Sequence, residues 1–223
     1  GLALVEVNFT ADYLDYMAEW GRRLEGEILT SDRPGENIFV FRKPLGVVAG
    51  ILPWNFPFFL IARKLAPALI TGNTIVIKPS EETPINCFEF ARLLAETDLP
   101  KGVVNIVSGK GGTVGNALSA SANVDMVNFT GSVATGSRIQ AASPEHITKL
   151  NLELGGKAPA IVLAAANLDP AVTSIRDSRI INTGQVSNFA ERVYVHRPLS
   201  PELLAPIRTA LAATPFGDPT AQP

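Results

Sequence analysis

The sequence contains few of the residues on which several classes of protein depend. A single cysteine excludes an intramolecular disulfide and is typical of a reducing compartment, and two histidines far from it do not make the clustered ligands of a zinc site. Nineteen basic residues against 21 acidic ones give a net charge of −2, without the basic surplus that nucleic acids or anionic membranes attract. We therefore expect no metal, nucleic-acid or membrane partner.

Long apolar runs are also missing. None reaches the roughly 18 residues that cross a bilayer, and the first residues do not follow the pattern of a signal peptide. With 46% hydrophobic and 18% charged residues, the 223-residue chain has the composition of a globular protein with one large domain or two small ones. We expect it in the cytoplasm.

Hydrophobic periodicity predicts an α/β fold. Residues 4–24 have apolar side chains at helical spacing, and residues 38–53 predict two short strands, interrupted at Pro44 as in an edge strand. From residue 56 onward apolar helices alternate with β-branched strands, and one helix is expected to begin with Thr83 as its N-cap. Strands that are apolar throughout are typical of a parallel sheet with helices on both faces.

Small and polar residues follow four of the predicted strands. Because ligands of open parallel sheets bind at the carboxyl ends of the strands, these loops predict a nucleotide crevice. Ordinary βα turns are the alternative for any one loop, and the glycine loop is not a complete dinucleotide fingerprint, since Val114 stands where the third glycine belongs. The four segments are KPSE (78–81), SGKGGTVG (108–115), NFTGS (128–132) and LELGG (152–156).

Two residues near these strand ends have side chains suited to catalysis. Glu153 lies between Leu152 and Leu154, and desolvation by apolar neighbours would make its carboxylate a stronger base. An ion pair or a solvent-facing strand position is the alternative for Glu153. Asn55 lies between the two prolines of PWNFP, and a rigid amide donor suits an oxyanion hole, although a plain turn is the commoner use of such a segment.

The two candidate nucleophiles differ in their surroundings. Cys87 lies on the apolar face of a predicted helix, so we expect it to be buried and inert. Ser187, in INTGQVSNFAER (181–192), is a nucleophile, a helix cap or neither on these grounds. No Ser-His-Asp set is visible in the sequence, and Phe189 replaces the second glycine of a nucleophile elbow.

Six motifs together resemble the NAD(P)-dependent aldehyde dehydrogenase superfamily in order and spacing, over nearly the whole chain. The segments FTADYLDYMAEWGRRLEGEI and SDRPGEN are similar to those of its bacterial lactaldehyde and glycolaldehyde dehydrogenases. The resemblance implies a Rossmann-like parallel sheet with helices on both faces, followed by the start of a second α/β catalytic domain. The motifs are PWNFP, RKLAPALITGNTIVIKPSE, GVVNIVSG, VNFTGS, LELGGKAPAIV and INTGQV.

The same resemblance implies roles for individual residues. Asn55 would hold the oxyanion, Glu153 would activate the deacylating water, and Lys64 would take part in proton relay. Lys78 and Glu81 would hold the adenosine ribose, and a carboxylate at Glu81 favours NAD over the 2′-phosphate of NADP. The other residues implied in cofactor binding are Trp54, Ser80, Gly111, Gly115, Thr130, Gly131, Ser132 and Leu154.

The resemblance also implies a division into three parts and, for the full-length family, a homo-oligomer. An N-terminal helix and connecting strand would occupy residues 1–45, an NAD-binding domain residues 46–156, and the truncated start of a catalytic domain residues 157–223. Arg63 and Asn188 are expected to face the substrate, and a surface ion pair is the alternative for Arg63.

The chain departs from the family pattern in two ways. The family's nucleophilic cysteine falls where this chain has Ser187, and the family continues beyond the last residue here. We therefore predict an oxidoreductase that oxidises a small aldehyde, of the lactaldehyde or glycolaldehyde kind, with NAD, and whose turnover is impaired by Ser187 and by truncation. The alternatives are an NAD-binding pseudoenzyme or structural protein, and a serine esterase that uses Ser187 and Glu153.

Overall fold

The computed structural model describes residues 1–143 and 147–218 of the chain. They form two compact units, of which the first is Gly1–Leu154 and the second begins at Gly155. The first 45 residues belong to the first unit, and the second unit begins two residues before the predicted catalytic domain at residue 157. The functional division into three parts stays a prediction.

The first unit follows the predicted alternation of helices and strands. Its helices are α1 (Leu2–Ala18), α2 (Phe59–Ile70), α3 (Ile85–Leu94), α4 (Asn116–Ser119) and α5 (Val133–Ala142), and its strands are β1 (Glu27–Thr30), β2 (Asn37–Val40), β3 (Val47–Ile51), β4 (Thr74–Lys78), β5 (Val104–Ile106), β6 (Met126–Gly131) and β7 (Lys149–Leu154).

Five strands of the first unit form one parallel sheet, in the order β5-β4-β3-β6-β7. The chain starts the sheet at β3, adds β4 and β5 on one side, and then crosses to add β6 and β7 on the other. Strand β3 therefore pairs with both β4 and β6, Ile51 lying opposite Lys78 on one side and Phe129 on the other. The strand order reverses between β3 and β6, and a crevice at such a point is where open sheets bind ligands.

Both faces of this sheet are covered, as predicted. Val48 and Ala49 are neighbours on β3 whose side chains enter two different cores, because successive residues of a strand point to opposite faces. The first core packs α2 and α3 against β3 and β4, and the second packs α5 against β3 and β6. The Rossmann-like fold class is confirmed.

Helix α1 packs against α2 through aromatic rings. The Phe59 ring lies 4.6 Å from that of Phe9 and 5.6 Å from that of Tyr13, centroid to centroid. One Glu6 carboxylate oxygen accepts the backbone N–H groups of Phe58 and Phe59 at 2.8 and 3.0 Å. These two donors have no partner within α2, so a carboxylate from another helix caps its N-terminus.

Three local predictions need correction. The first helix ends at Ala18 and continues as a 3₁₀ turn. Pro44 lies in a connection ahead of β3, which is a central strand and not an edge strand, so no ladder bond is lost there. Thr83 is not the N-cap of α3; that position is Pro84, because the Thr83 hydroxyl donates instead to the carbonyl of Trp54 at 3.2 Å.

A short antiparallel pair precedes the main sheet; its strand β2 was predicted within residues 38–53, whereas its strand β1 was not. Strands β1 and β2 pair from Glu27–Val40 to Thr30–Asn37, and every residue of both is exposed. Because neither face is buried, the strands carry no inside-outside alternation from which periodicity could have predicted both of them.

The second unit is a smaller α/β assembly. Its four elements enclose a core of Val162, Val172, Ile175 and Leu203, and strand β8 pairs with β9 in parallel. The elements are β8 (Pro159–Val162), α6 (Leu168–Ile180), β9 (Arg192–Val195) and α7 (Ser200–Ala212). Among the helices of the described residues, none is long and apolar enough to cross a membrane.

Candidate functional site

The carboxyl edge of the five-stranded sheet gathers most of the predicted site residues. All five strands run in parallel, so the loops that follow them meet at this edge. The edge brings together residues from sequence positions 54 to 154: Trp54 and Asn55 after β3, Lys78, Ser80 and Glu81 at the end of β4, Gly111 and Gly115 after β5, Thr130, Gly131 and Ser132 at the end of β6, and Glu153 and Leu154 at the end of β7.

Lys64 is one of two buried lysines near this edge, the other being Lys78. Lys64 lies on α2 with 2% of its surface exposed, and its stem passes over Gly50 of β3. Its ammonium nitrogen donates to Asn128 Oδ1 at 2.7 Å and to Thr130 Oγ1 at 2.8 Å. Both acceptors are on β6, so one charged side chain connects the helix to the strand across the reversal of strand order.

The acceptors of Lys64 belong to a polar ladder across β6 and β7. Asn128 pairs in register with Asn151, and Thr130 pairs with Glu153. The Asn151 amide donates to Asn128 Oδ1 at 3.1 Å, which turns that oxygen toward Lys64. Sequence reasoning missed Asn128 and Asn151. Their signal was available, because polar residues recur every second position in strands that are otherwise apolar.

Burial changes the protonation of Lys64. The pKa of Lys64 is lowered to about 7, mainly by desolvation and also by the nearby Arg63 guanidinium, while the Glu153 carboxylate opposes the shift. A lysine with this pKa exchanges protons near neutral pH, which an ordinary lysine does not. Lys64 can therefore act as a proton-transfer group as well as a fixed charge.

Glu153 is not desolvated by its apolar neighbours, contrary to the prediction from the sequence. Leu150, Leu152 and Leu154 belong to the core under α5, whereas Asn151 and Glu153 alternate to the other face of β7. Glu153 is exposed, on the edge strand of the sheet. The neighbouring leucines therefore do not desolvate it, and its candidacy rests on its place opposite Thr130 and on its electrostatic interaction with Lys64.

Lys78 and Glu81 form an ion pair at the end of β4. Their charged atoms lie 3.3 Å apart, and the Lys78 ammonium, 2% exposed, also donates to the Pro79 carbonyl at 2.7 Å. Glu81 accepts the Gly111 N–H at 3.3 Å. Backbone N–H groups of Glu81 itself and of Gly111 hold the pKa of the Glu81 carboxyl below its usual value. The carboxylate therefore stays ionised at neutral pH and reaches the glycine loop.

The glycine loop itself forms a wide helical turn over Gly111–Gly115, of the π type. Side chains added at Gly111 or Gly112 would meet no atom within 4 Å, so the backbone is open on that side. Gly115 is buried and lies against the stem of Lys78. An open, glycine-lined turn at the start of a helix fits a pyrophosphate, which needs close backbone approach.

The loop after β6 offers a second helix start. The Ser132 hydroxyl caps α5 by accepting the Thr135 N–H at 3.2 Å. A side chain at Gly131 would lie 2.4 Å from the Phe129 ring, and one at Gly136 would lie 2.7 Å from Leu154. Both glycines therefore let apolar side chains pack where a bulkier residue would collide.

Trp54, Asn55 and Arg63 lie on the segment from the end of β3 to α2. Trp54 is 45% exposed, and Asn55 is half-buried. Arg63 is exposed next to α1, where burial raises the pKa of Tyr13 and the Arg63 guanidinium opposes that rise. This segment, which Glu6 contacts at the start of α2, carries a polar amide at Asn55 and a cation at Arg63.

Ser187 and Asn188 belong to the second unit and are both exposed. They follow α6, between its C-terminal 3₁₀ turn and β9. Asn188 lines a cavity of about 260 Å³ with Ser174, Ser178 and residues of β8. In the second unit, these are the residues that the sequence named for catalysis and substrate binding.

The single cysteine, Cys87, is buried, as predicted. Cys87 has no exposed surface and packs in the core with Ile75 and Ile77. Burial raises the pKa of its thiol to about 12, so the reactive thiolate is scarce at neutral pH. Within residues 1–143 and 147–218, no group of three histidine, cysteine or carboxylate side chains is placed to hold a metal ion.

Comparison with known proteins gives a consistent result. The model of the aldehyde dehydrogenase family matches residues 1–223. Lactaldehyde dehydrogenase of Escherichia coli is 60% identical over 98% of this chain and 46% of its own length. A crystal structure of that enzyme superposes with a TM-score of 0.95 at 59% identity, covering 98% of this chain and 46% of the other.

A second relative is named for its use of NADP(+). The NADP(+)-dependent D-glyceraldehyde dehydrogenase of Thermoplasma acidophilum is 39% identical over 96% of this chain and 43% of its own length. The chain thus spans about half the length of the curated relatives that it matches.

Proposed function

Because this chain belongs to the aldehyde dehydrogenase family, we propose that it binds NAD and a short hydroxyaldehyde, and that its family reaction is oxidation of that aldehyde to the acid. One observation carries the proposal: the ion pair of Lys78 and Glu81 is joined to an open glycine turn at the carboxyl edge of a parallel sheet. The similarity to lactaldehyde dehydrogenase supports the choice of aldehyde.

The cofactor site fits the chemistry of a dinucleotide. Glu81 and Lys78 would present an acceptor and a donor to the ribose hydroxyls, while Gly111 and Ser132 begin turns whose N–H groups would suit the pyrophosphate. NAD, when bound, supplies the hydride acceptor. A fixed carboxylate at Glu81 favours NAD over NADP, because it repels a 2′-phosphate.

The reaction of the family defines what each side chain would do. The Asn55 amide would donate to the oxygen of the aldehyde as that oxygen becomes an anion, and Glu153 would take a proton from the water that releases the acid. Lys64, hydrogen-bonded to Thr130 and close enough to interact with Glu153, would accept or return that proton near neutral pH.

Ser187 reduces the rate of the covalent step. A cysteine is a few per cent thiolate at neutral pH, whereas a serine hydroxyl ionises far less and needs an adjacent base. An oxygen ester is also a less activated acyl intermediate than a thioester. We therefore propose that the chain binds its cofactor and substrate but has severely reduced turnover.

Arg63 is the proposed contact for the substrate hydroxyl. It is exposed on an apolar helix, beside Tyr13 and directly before Lys64. Arg63→Gln should weaken the binding of glycolaldehyde and leave the binding of propionaldehyde, which lacks the hydroxyl, unchanged. Equal binding of glycolaldehyde by the two proteins would refute this role.

Aldehyde-dependent NADH formation tests the proposed function. We expect little or none from the chain and a rate at least about a hundredfold higher from Ser187→Cys, because a thiolate replaces a hydroxyl. Ser187→Ala is the matched control and should be as inactive as the chain itself. Measurable and equal rates for serine and cysteine, together with loss of activity in Ser187→Ala, would show that the hydroxyl is a competent nucleophile and would overturn the proposal.

A further inference from the structure

The loop that carries Ser187 begins with an unfavourable backbone. Asn182, Thr183 and Gly184 have φ values of 47°, 59° and 77°, three left-handed residues in succession. Glycine adopts this conformation freely, but a β-branched residue such as threonine rarely does. Such a backbone persists only where surrounding contacts hold it, so the structure must contain groups that fix this loop.

Arg179, in the last turn of α6, touches both ends of the loop. Its guanidinium carbon lies 4.3 Å from the centre of the Phe189 ring, a cation–π contact. A side chain added at Gly184 would lie 2.6 Å from an Arg179 terminal nitrogen and 3.3 Å from the Arg179 carbonyl. One guanidinium therefore packs against residues 184 and 189, with Ser187 on the span between them.

The same turn of α6 holds the far end of the loop a second time. The Ser178 hydroxyl oxygen accepts the Ala190 N–H at 3.0 Å. At the near end, the Gln185 N–H donates to the Asn182 carbonyl at 3.1 Å. Two consecutive residues of α6, Ser178 and Arg179, thus fix the loop through their side chains. These contacts are separate from the backbone hydrogen bonds of the helix and the sheet.

We propose that Arg179 is a positioning residue that, by stacking on Phe189 and packing against Gly184, holds the loop of Ser187 in a single conformation. Its importance for catalysis rests on the proposed function. The conformation of the loop does not, and it is measured independently of turnover. Glycine at position 184 is then needed for two reasons. It adopts a positive φ without strain, and its lack of a side chain leaves the space that the Arg179 guanidinium fills.

A fluorine label at position 187 reports on this conformation directly. Ser187→Cys is labelled with a trifluoromethyl reagent, which leaves the fully buried Cys87 unmodified. We expect one narrow ¹⁹F resonance. Arg179→Ala should broaden or split it, Phe189→Leu should do the same, and Arg179→Lys and Phe189→Tyr, which keep a cation over a ring, should restore the single line.

Amide exchange of the unlabelled chain separates positioning from folding. Loss of the cation–π contact should speed exchange of the Gln185 and Ala190 N–H groups by up to about tenfold, while α7 and β9 keep their protection. A single unchanged resonance in both Arg179→Ala and Phe189→Leu would overturn the proposal. So would faster exchange spread evenly over the unit, or a failure of Arg179→Lys to restore the line.

Discussion

The two units of this chain hold their key residues in different ways. In the first unit, Lys64 is buried between a helix and two neighbouring strands and is fixed by Asn128 and Thr130. In the second, Ser187 is exposed on a loop that is held from one helix end by Arg179 and Ser178. A buried charge ties function to stability, whereas an exposed loop residue can change without cost to the fold. Under the proposed function, the residue at the nucleophile position could therefore be exchanged while the proposed cofactor site stays intact.

The largest effect is expected from the buried charge. Between pH 7 and 10.5 the unfolded chain binds more protons at Lys64 than the folded one, so the free energy of unfolding rises with pH through this window. The gain is on the order of 3 to 4 kcal/mol between pH 6 and 10, at about 1.4 kcal/mol per pKa unit. Lys64→Met should lose this rise. Both tryptophans lie in the first unit, so their fluorescence during urea unfolding at each pH measures it.

If the free energy of unfolding changed with pH equally in the protein and in Lys64→Met, burial of the Lys64 ammonium would not destabilise the fold, and the prediction would be wrong. Tyr13, Glu81 and Cys87 also have shifted pKa values, but they are present in both proteins and cancel in the difference.

The next effect comes from the polar ladder. Asn128→Leu removes an acceptor from the Lys64 ammonium and leaves it incompletely paired, so we expect about 2 kcal/mol of destabilisation at pH 6. Asn105→Leu on β5 is the control, since Asn105 is exposed and should cost less than about 1 kcal/mol. Urea unfolding measures both variants. Equal losses of unfolding free energy in Asn128→Leu and Asn105→Leu would show that pairing Asn128 with Lys64 adds nothing to stability.

The smallest effect is expected at the ion pair of Lys78 and Glu81, which is the proposed contact for the cofactor ribose. Glu81→Gln removes the charged acceptor, so NAD binding should weaken by about tenfold, or 1.4 kcal/mol, while NADP binding should not weaken. Glu82→Gln, an exposed neighbour, should leave both affinities unchanged. Fluorescence titration with the two cofactors decides it. A parallel loss for NAD and NADP would contradict the proposed preference.

Much of the fold and of the site could be predicted from the sequence because both depend on local patterns. Apolar strands, glycine turns and the residues after each strand are read from short segments, and parallel strands bring their ends together automatically. The segments 78–81 and 108–115 were predicted in this way to meet at one edge of the sheet, and their residues Lys78, Glu81 and Gly111 lie in contact. The inert Cys87 followed from helical spacing in the same manner.

The rest depended on geometry that no short segment contains. The pairing of Asn128 with Asn151 requires the register of two strands, and the exposure of Glu153 requires knowing which face of β7 meets α5. Thr83 was assigned as a cap from its place in the sequence, but a distant carbonyl of Trp54 took its hydroxyl. The stacking of Arg179 on Phe189 likewise joins residues on two sides of a turn.

Calorimetric titration of the chain with NAD tests the central claim most directly, namely our proposal that the first unit binds NAD although Ser187 occupies the proposed nucleophile position. The account predicts saturable binding at one site, with the same affinity in the chain, in Ser187→Ala and in Ser187→Cys. The absence of binding heat at several temperatures, or an affinity that depends on the residue at 187, would contradict it.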